Sequence, residues 1–207
     1  MFAIKNIEDP LAITGPWTVK FPANAGVSPQ IVMPQLMSLH EHEDAFIKYF
    51  SGTAIYSTSF TFPGKVNNKL WYLDLGRVEV ISGISMNGRS LGSAWKRPYS
   101  VNATSALIHG TNKIEIKVTT LWPNRLIGDE QMPDPDKFSP GGGISGLDSV
   151  TKGNIETLPE WYIEGKPKPD NGRVCFTTWK HYTKDSPLLE SGLIGPVSLH
   201  PAVIKSL

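Results

Sequence analysis

Short stretches of alternating apolar and polar residues, separated by turn residues, most restrict what this chain can fold into. In Thr53–Phe62, the side chains of Ala54, Tyr56, Phe60 and Phe62 would fall on one face of an extended strand. This two-residue period is typical of a strand with one face in a core and the other in solvent. The alternation predicts strands over Trp17–Phe21, Thr53–Phe62, Leu70–Leu75, Val78–Met86, Lys113–Thr119, Val174–Trp179 and Leu193–Leu199.

The turn signals favour antiparallel connections between these strands. Asn87-Gly88 follows an apolar stretch, and this pair suits a hairpin turn whose two central residues need positive φ. In Lys113–Thr119, the side chains of Ile114, Ile116 and Val118 are expected to point inward. About eight strands at turn-punctuated intervals predict an all-β fold, an antiparallel β-sandwich or jelly roll, rather than alternating strands and helices. At 207 residues, the chain (1–207) is expected to form a single domain of this kind.

One short helix is predicted at Glu41–Phe50, where an acidic start precedes an apolar cluster. The stretch His40-Glu41-His42-Glu43-Asp44 includes two histidines, but their i, i+2 spacing does not bring both imidazoles to one helix face. We therefore interpret it as a solvated helix start rather than a metal site.

The segment 121–172 departs from the rest of the sequence. Fifteen of its 52 residues are Gly or Pro, and it shows no strong strand or helix period. A loop this long is uncommon in a compact domain and is usually functional or disordered. Because it carries Trp122, Phe138, Trp161 and Tyr162, we predict a functional loop.

Charge and hydropathy exclude several partner classes. The net charge is +1, only 19% of residues are charged, and no Lys/Arg-rich run occurs, which argues against nucleic acid. No stretch approaches the roughly 18 consecutive apolar residues of a membrane span. Residues 1–10 lack the pattern of a secretory signal.

Catalytic and metal motifs are weak. No Gly-x-Ser-x-Gly elbow occurs, and Gly141-Gly142-Gly143 is not followed by the Lys-Ser/Thr of a phosphate loop. Two carboxylates at glycosidase spacing cannot be assigned from the sequence. No cofactor is predicted apart from a structural calcium at Asp134 and Asp136, whose alternative is a set of solvated turn carboxylates.

Aromatic and polar residues group in a way that suits carbohydrate. Trp95, Arg97 and Tyr99 would share one face of an extended segment. Sugar C–H patches stack on indole rings, and sugar hydroxyls pair with planar polar groups. The alternative is that Trp95 and Trp122 fill the core. The candidate contacts are Trp95, Arg97, Tyr99, Trp122, Asn124, Arg125, Asp129, Glu130 and Trp161.

Several motifs resemble a known family. Tyr49–Tyr56, Leu73–Gly76, Met86–Gly88 and His109–Ile116 are similar to the galactose-binding-like, sugar-binding β domains of glycoside hydrolase family 2. Three further stretches resemble the C-terminal β-sandwich domain of α-L-rhamnosidase-type enzymes, glycoside hydrolase family 106: Trp122–Gln131, Phe176–Tyr182 and Ser191–Val197.

This resemblance implies a non-catalytic, carbohydrate-associated accessory domain whose partner is a catalytic domain. The family's catalytic carboxylates belong to a separate barrel, so no catalytic residue transfers to this chain. Asn124, Arg125 and Asp129 transfer only as motif matches, and two roles are open for them, sugar contact or loop structure. In the second role, Arg125 would pair with Asp129 and hold the loop closed. Two alternatives stay open: a docking domain with no sugar site, and an independent glycosidase using loop carboxylates. A domain of a secreted enzyme would be periplasmic or extracellular, but the sequence does not specify the compartment.

Overall fold

Two antiparallel sheets form the frame of the structure, as the alternating pattern predicts. The computed structural model describes residues 2–6, 9–22, 30–64, 69–134, 136–139, 150–167 and 173–206. The strands are β1 (Phe2–Asn6), β2 (Leu11–Ala12), β3 (Trp17–Lys20), β4 (Gln30–Met33), β5 (Thr53–Phe62), β6 (Leu70–Asp74), β7 (Arg77–Glu79), β8 (Ile81–Met86), β9 (Arg89–Ala94), β10 (Ser100–Asn102), β11 (Gly110–Thr119), β12 (Phe138–Ser139), β13 (Asn154–Ile155), β14 (Gly192–Gly195) and β15 (Ser198–Ser206).

The larger sheet has the strand order β4-β3-β5-β11-β8-β9, and the other has the order β1-β15-β6-β10 with β2 paired to β15. Two short ribbons, β7 with β14 and β12 with β13, accompany them. Every pair of neighbouring strands is antiparallel. The all-β sandwich expected from the sequence is confirmed, whereas the galactose-binding-like jelly-roll topology stays a prediction.

The core lies between the inner faces of the two sheets. On β11, Ile114, Ile116 and Val118 are buried as predicted, and they join one cluster with Tyr56 of β5 and Leu73 of β6. Because the side-chain period of a strand is two, the opposite face of β11 is left in solvent. The predicted hairpin is also confirmed, with φ of 51° at Asn87 and 78° at Gly88.

The helix predicted at 41–50 is shorter than expected. A 3-10 turn covers Leu39–Glu41, and the helix α1 is limited to Ala45–Lys48. The reason lies at Asp44, whose carboxylate accepts a hydrogen bond from the Phe46 amide (2.8 Å) and caps a helix that begins at Ala45, four residues later than predicted.

Two predicted strands are divided and one is absent. Val78–Met86 is split into β7 and β8, and Leu193–Leu199 is split into β14 and β15. The strand predicted at 174–179 is wrong: within it, Trp179 alone forms an isolated bridge, to Thr151. The count of about eight strands is therefore too low for the described residues, where fifteen mostly short strands occur.

The segment 121–172 is not structureless, which corrects a second expectation. It contains the helix α2 (Pro123–Asp129), the ribbon of β12 and β13, and the helix α3 (Glu160–Ile163). Gly141–Gly143 lies outside the described residues. Across the described ranges, no helix combines the length and apolar character needed to cross a membrane.

Candidate functional site

Helix α2 carries three of the predicted carbohydrate contacts, and all three are buried. Pro123 occupies its first turn, where the missing amide hydrogen costs nothing. Asn124, Arg125 and Asp129 are 3%, 5% and 2% exposed. Their side chains point into the protein rather than towards a ligand in solvent.

Arg125 and Asp129 form the ion pair suggested by the sequence. Arg125 Nη2 lies 3.0 Å from Asp129 Oδ1. The same carboxylate accepts hydrogen bonds from the backbone amides of Val174 (2.9 Å) and Cys175 (2.7 Å). A buried charge is tolerated when it is both paired and hydrogen-bonded, and Asp129 meets both conditions. It therefore fixes the segment that begins at residue 173 against α2.

Asn124 fixes the far end of that segment. Its Nδ2 donates to the Leu189 carbonyl at 2.7 Å, and the Leu189 amide donates to its Oδ1 at 2.8 Å. The Ser191 amide in turn donates to Ser38 Oγ at 2.9 Å. We call the set Asn124, Arg125 and Asp129 the α2 anchor, because it attaches residues 174–189 to the sandwich.

Close packing against α1 holds α2 itself in place. A Cβ at Gly128 would lie 2.5 Å from Tyr49 Cβ, so a larger residue cannot fit without displacement. The Arg125 guanidinium lies 6.0 Å from the centre of the Tyr49 ring, within cation–π distance. The α2 anchor thus has a structural role, which is one of the two roles that the sequence left open for these residues.

The acidic residues that follow α2 face cations. Glu130 Oε1 lies 3.3 Å from Arg173 Nη2 and 3.6 Å from Lys152 Nζ. Asp134 Oδ2 lies 2.7 Å from Lys152 Nζ and 3.4 Å from Arg173 Nη1. Burial alone would raise the pKa of Asp134, but the hydrogen bonds from the Lys152 ammonium and the Asp136 amide, together with the charges of Lys152 and Arg173, outweigh it and lower that pKa. These four residues form an ionic cluster that joins 130–134 to residues 152 and 173.

The ionic cluster adds no further ligands for the calcium ion predicted at Asp134 and Asp136. Two cations already neutralise Asp134, and the amide of Asp136 donates to Asp134 Oδ1 at 3.1 Å. Within the described ranges, no three His, Cys, Asp or Glu side chains converge in a way that could hold a metal ion. The two histidines near α1 have local partners: His40 Nδ1 lies 2.6 Å from Ser38 Oγ, and His42 Nδ1 accepts from the Asp44 amide.

Trp95, Arg97 and Tyr99 do not share one face, which corrects the expectation of an extended segment. The chain bends at residues 96–98 after β9, so the two-residue period is lost. Trp95 is 65% exposed and Arg97 is also exposed, whereas Tyr99 is buried in the core. Lys96 Nζ lies 5.5 Å from the centre of the Trp95 ring.

Trp122 is exposed as well, so the interpretation of Trp95 and Trp122 as core residues is wrong. Trp122 and Leu121 immediately precede α2 and are each 56% exposed. Val174 and Leu189, whose backbones bind the α2 anchor, also expose their side chains. We call Leu121, Trp122, Val174 and Leu189 the α2 flank, an apolar set around the helix.

Trp161, on α3, lines a pocket. Its indole is partly buried, and it lines a cavity of about 370 Å³ together with Asp136, Lys137, Thr157 and Glu160. The volume is within the usual range for small-ligand sites, about 300–1,000 Å³. The pocket combines an aromatic ring with carboxylate, ammonium and hydroxyl groups, the chemistry that a sugar needs. We call it the Trp161 pocket.

The sequence identified Trp161 but missed Lys137, Thr157 and Glu160. Glu160 adjoins Trp161 in the sequence and could have been inferred from that position. Lys137 is brought in by the pairing of β12 with β13, where the Glu156 amide donates to the Lys137 carbonyl at 2.9 Å. That pairing has too short a pattern to be read from the sequence.

Comparisons with known proteins relate the chain to one part of larger glycoside hydrolases. No family model matches it. A protein of Formosa agariphila named "Putative beta-glucuronidase" is 40% identical over 208 residues, which cover 99% of this chain and 17% of that protein. A rhamnosidase from Novosphingobium sp. PP1Y is 31% identical, with a TM-score of 0.69 over 96% of this chain and 15% of the enzyme.

A more distant structure shares the fold alone. The beta-D-glucuronidase of Dictyoglomus thermophilum is 17% identical, with a TM-score of 0.53 over 98% of this chain and 28% of that chain. The chain thus spans less than one third of each of these three proteins.

Proposed function

We propose that residues 1–207 form a single accessory domain of a larger glycoside hydrolase and that this domain contacts carbohydrate through the Trp161 pocket. The proposal of an accessory role draws on the similarity to 17% of one long protein and 15% of a rhamnosidase. The 31% identity to that rhamnosidase, together with the motifs at Trp122–Gln131 and Phe176–Tyr182, favours the rhamnosidase-type family 106 as its source.

The chemistry of the Trp161 pocket is the observation that carries the sugar contact. An indole face offers a flat apolar surface to the C–H groups of a pyranose ring. Asp136 and Glu160 accept hydrogen bonds from hydroxyls, and Lys137 donates to them. Trp95 and Trp122, each exposed, would add peripheral stacking surfaces outside the pocket.

Calorimetric titration of the 207-residue chain tests this function. The ligands are rhamnose-, galactose- and glucuronate-containing oligosaccharides at millimolar concentration. Trp161→Ala is expected to weaken binding about tenfold, because it removes the stacking surface. Ile163→Ala is the matched control, since Ile163 lies on the same helix, is exposed, and does not line the pocket. Absence of binding by the unmodified chain, or equal loss in both variants, would refute the sugar contact.

The α2 flank favours a second candidate, a docking domain for the catalytic part of the enzyme. Exposed apolar surface commonly marks an interaction site, and the backbone hydrogen bonds of Leu189 to Asn124 place it beside α2. Here Leu121, Trp122 and Leu189 are exposed by 56%, 56% and 47%. The partner would be the remainder of the longer polypeptide, as in the Formosa agariphila protein.

Co-purification separates this candidate from the first. The part of the Formosa agariphila protein outside the matched residues, expressed separately, should retain the unmodified chain. A Leu121→Ser, Trp122→Ser double variant should lose that association, while Trp161→Ala should keep it. If no association is detected with the unmodified chain, the docking role is wrong.

Independent hydrolysis is the third candidate, because Asp136 and Glu160 line one pocket. Assays of the isolated chain with aryl rhamnosides and aryl glucuronides address it directly. We expect no turnover, since the proposed role is non-catalytic. Turnover that Glu160→Gln abolishes would replace the accessory role with catalysis.

A further inference from the structure

A groove lies on the outer face of the larger sheet. The residues that line it are distant in the sequence from α2 and α3. The groove has a volume of about 730 Å³ and crosses β3, β5, β11 and β8. Its polar lining consists of Thr18, Ser57, Thr58, Ser59, Ser85, Lys113 and Glu115. Its described lining includes no aromatic ring, so it differs in chemistry from the Trp161 pocket.

The strand register aligns four of these side chains in a row across the sheet. Thr18 of β3 lies opposite Ser57 of β5, and Ser57 lies opposite Glu115 of β11. Glu115 in turn lies opposite Ser85 of β8. Directly paired residues point to the same face of a sheet, and here that face is the one turned away from the core. Since neighbouring strands are about 4.8 Å apart, the row extends for about 14 Å.

The hydroxyls in this row are oriented by the sheet itself. Ser57 Oγ donates to the Thr18 carbonyl at 3.3 Å, and Ser85 Oγ donates to the Glu115 carbonyl at 3.5 Å. A hydroxyl that donates to the backbone keeps lone pairs that can accept. The row therefore offers acceptors with fixed positions, and the Glu115 carboxylate adds two more.

Lys113 supplies the complementary donor. It is exposed on the same face of β11 as Glu115, two residues away, and its strand partner is Ser59. One ammonium and one carboxylate leave the groove without net charge. A polyanion such as nucleic acid would therefore gain little there.

We propose that this groove is a second carbohydrate site, which takes an extended oligosaccharide lying across the strands. Successive sugar units would place their hydroxyls against the Thr18–Ser57–Glu115–Ser85 row, with Lys113 donating from the side. Binding here depends on hydrogen bonds to several units at once, whereas the Trp161 pocket depends on stacking of one ring. This site goes beyond the accessory function proposed above, and neither site requires the other.

Amide chemical-shift mapping by NMR on the 207-residue chain tests the groove. The probes are cellohexaose, mannohexaose and a hexamer of galacturonate, with glucose, mannose and galacturonate as their single-unit counterparts. At least one hexamer should shift the amides of Ser57, Ser85 and Glu115, and should bind about tenfold more tightly than its monosaccharide. Glu115→Ala should weaken that binding about tenfold.

Lys117→Ala is the matched control, because Lys117 lies on the same strand and the same exposed face but does not line the groove. Trp161→Ala should leave the groove shifts unchanged, so failure of one site is distinguishable from failure of the other. The proposal is overturned if none of the hexamers shifts the groove amides at about 10 mM, since that concentration would reveal even a dissociation constant in the millimolar range. It is also overturned if Lys117→Ala weakens binding as much as Glu115→Ala.

Discussion

Arg125 and Asp129 lie one helical turn apart on α2 and form an ion pair that solvent barely reaches, with 3.0 Å between Nη2 and Oδ1. The pair is the centre of a larger contact, because Asp129 also accepts hydrogen bonds from two amides that are 45 and 46 residues away. Substitutions in α2 should therefore destabilise the region 173–191 more than substitutions of exposed side chains within that region.

Asp129→Asn should destabilise the protein by about 3 kcal/mol, because it leaves the Arg125 guanidinium buried without its counter-ion. Urea unfolding followed by tryptophan fluorescence measures the change. Asp185→Asn is the control, since Asp185 is exposed. An effect below about 1 kcal/mol, the level of a surface ion pair, would contradict the role assigned to Asp129.

Asn124→Ala should cost about 2 kcal/mol, because it leaves the amide and the carbonyl of Leu189 without partners. Hydrogen exchange at the Leu189 amide should accelerate in the variant. Asn102→Ala provides the comparison, since Asn102 caps the Thr104 amide at an exposed turn. If Leu189 exchanges at the same rate in Asn124→Ala as in the unmodified protein, the anchor does not hold that end of the segment.

Gly128→Ala should destabilise by about 1–3 kcal/mol, even though Ala favours helices over Gly, because the added Cβ meets Tyr49 at 2.5 Å. Gly83→Ala should be close to neutral, since its added Cβ would have Lys117 Cβ at 4.0 Å as its nearest neighbour. Thermal unfolding of both variants makes the comparison. A stabilised Gly128→Ala would mean that α2 and α1 are less closely packed than described.

Asp134 should give the ionic cluster a defined dependence on pH. Its pKa in the folded protein is lowered, so its contribution to stability is present above its ordinary pKa of about 4 and is lost as pH falls through the lowered value. Lys152→Ala should move the pKa of Asp134 upward, as followed by NMR titration of the Asp134 side-chain carboxyl carbon. Lys166→Ala, which removes a partner of exposed Glu164, should leave that titration unchanged. An unshifted titration in Lys152→Ala would exclude Lys152 as a cause.

The parts of the fold with a strong local pattern could be predicted from the sequence. Thr53–Phe62 has the same bounds in the sequence analysis and in the structure, because ten alternating residues determine both the strand and its inward face. Asn87-Gly88 identified its hairpin, since few other residue pairs adopt positive φ at both positions.

Elements whose conformation depends on distant partners could not be predicted in this way. Residues 174–179 alternate as a strand does, but the Asp129 carboxylate takes the amides of Val174 and Cys175 that a strand would give to a neighbour. Helix α2 has no side-chain cap and contains Gly128, so Pro123 in its first turn is the one sequence signal that indicates it.

The candidate site could be predicted only in part, because the exposure of each residue depends on partners that are distant in the sequence. Residue type alone singled out Trp161, but the sequence could not distinguish exposed Trp122 from buried Asn124 two positions later. The groove on the larger sheet was missed entirely, because it depends on the register of four strands and not on any one of them.

The α2 anchor also bears on the order in which the chain can fold. Its hydrogen bonds to Cys175 and Leu189 span 46 and 65 residues, so each closes a long loop at a considerable entropic cost. Contacts of that length are slow to form, whereas the hairpin at Asn87-Gly88 is local and fast. Residues 174–189 should therefore settle on the sandwich after the local hairpin has formed, and their departure would expose the carboxylate and the guanidinium that α2 keeps from water.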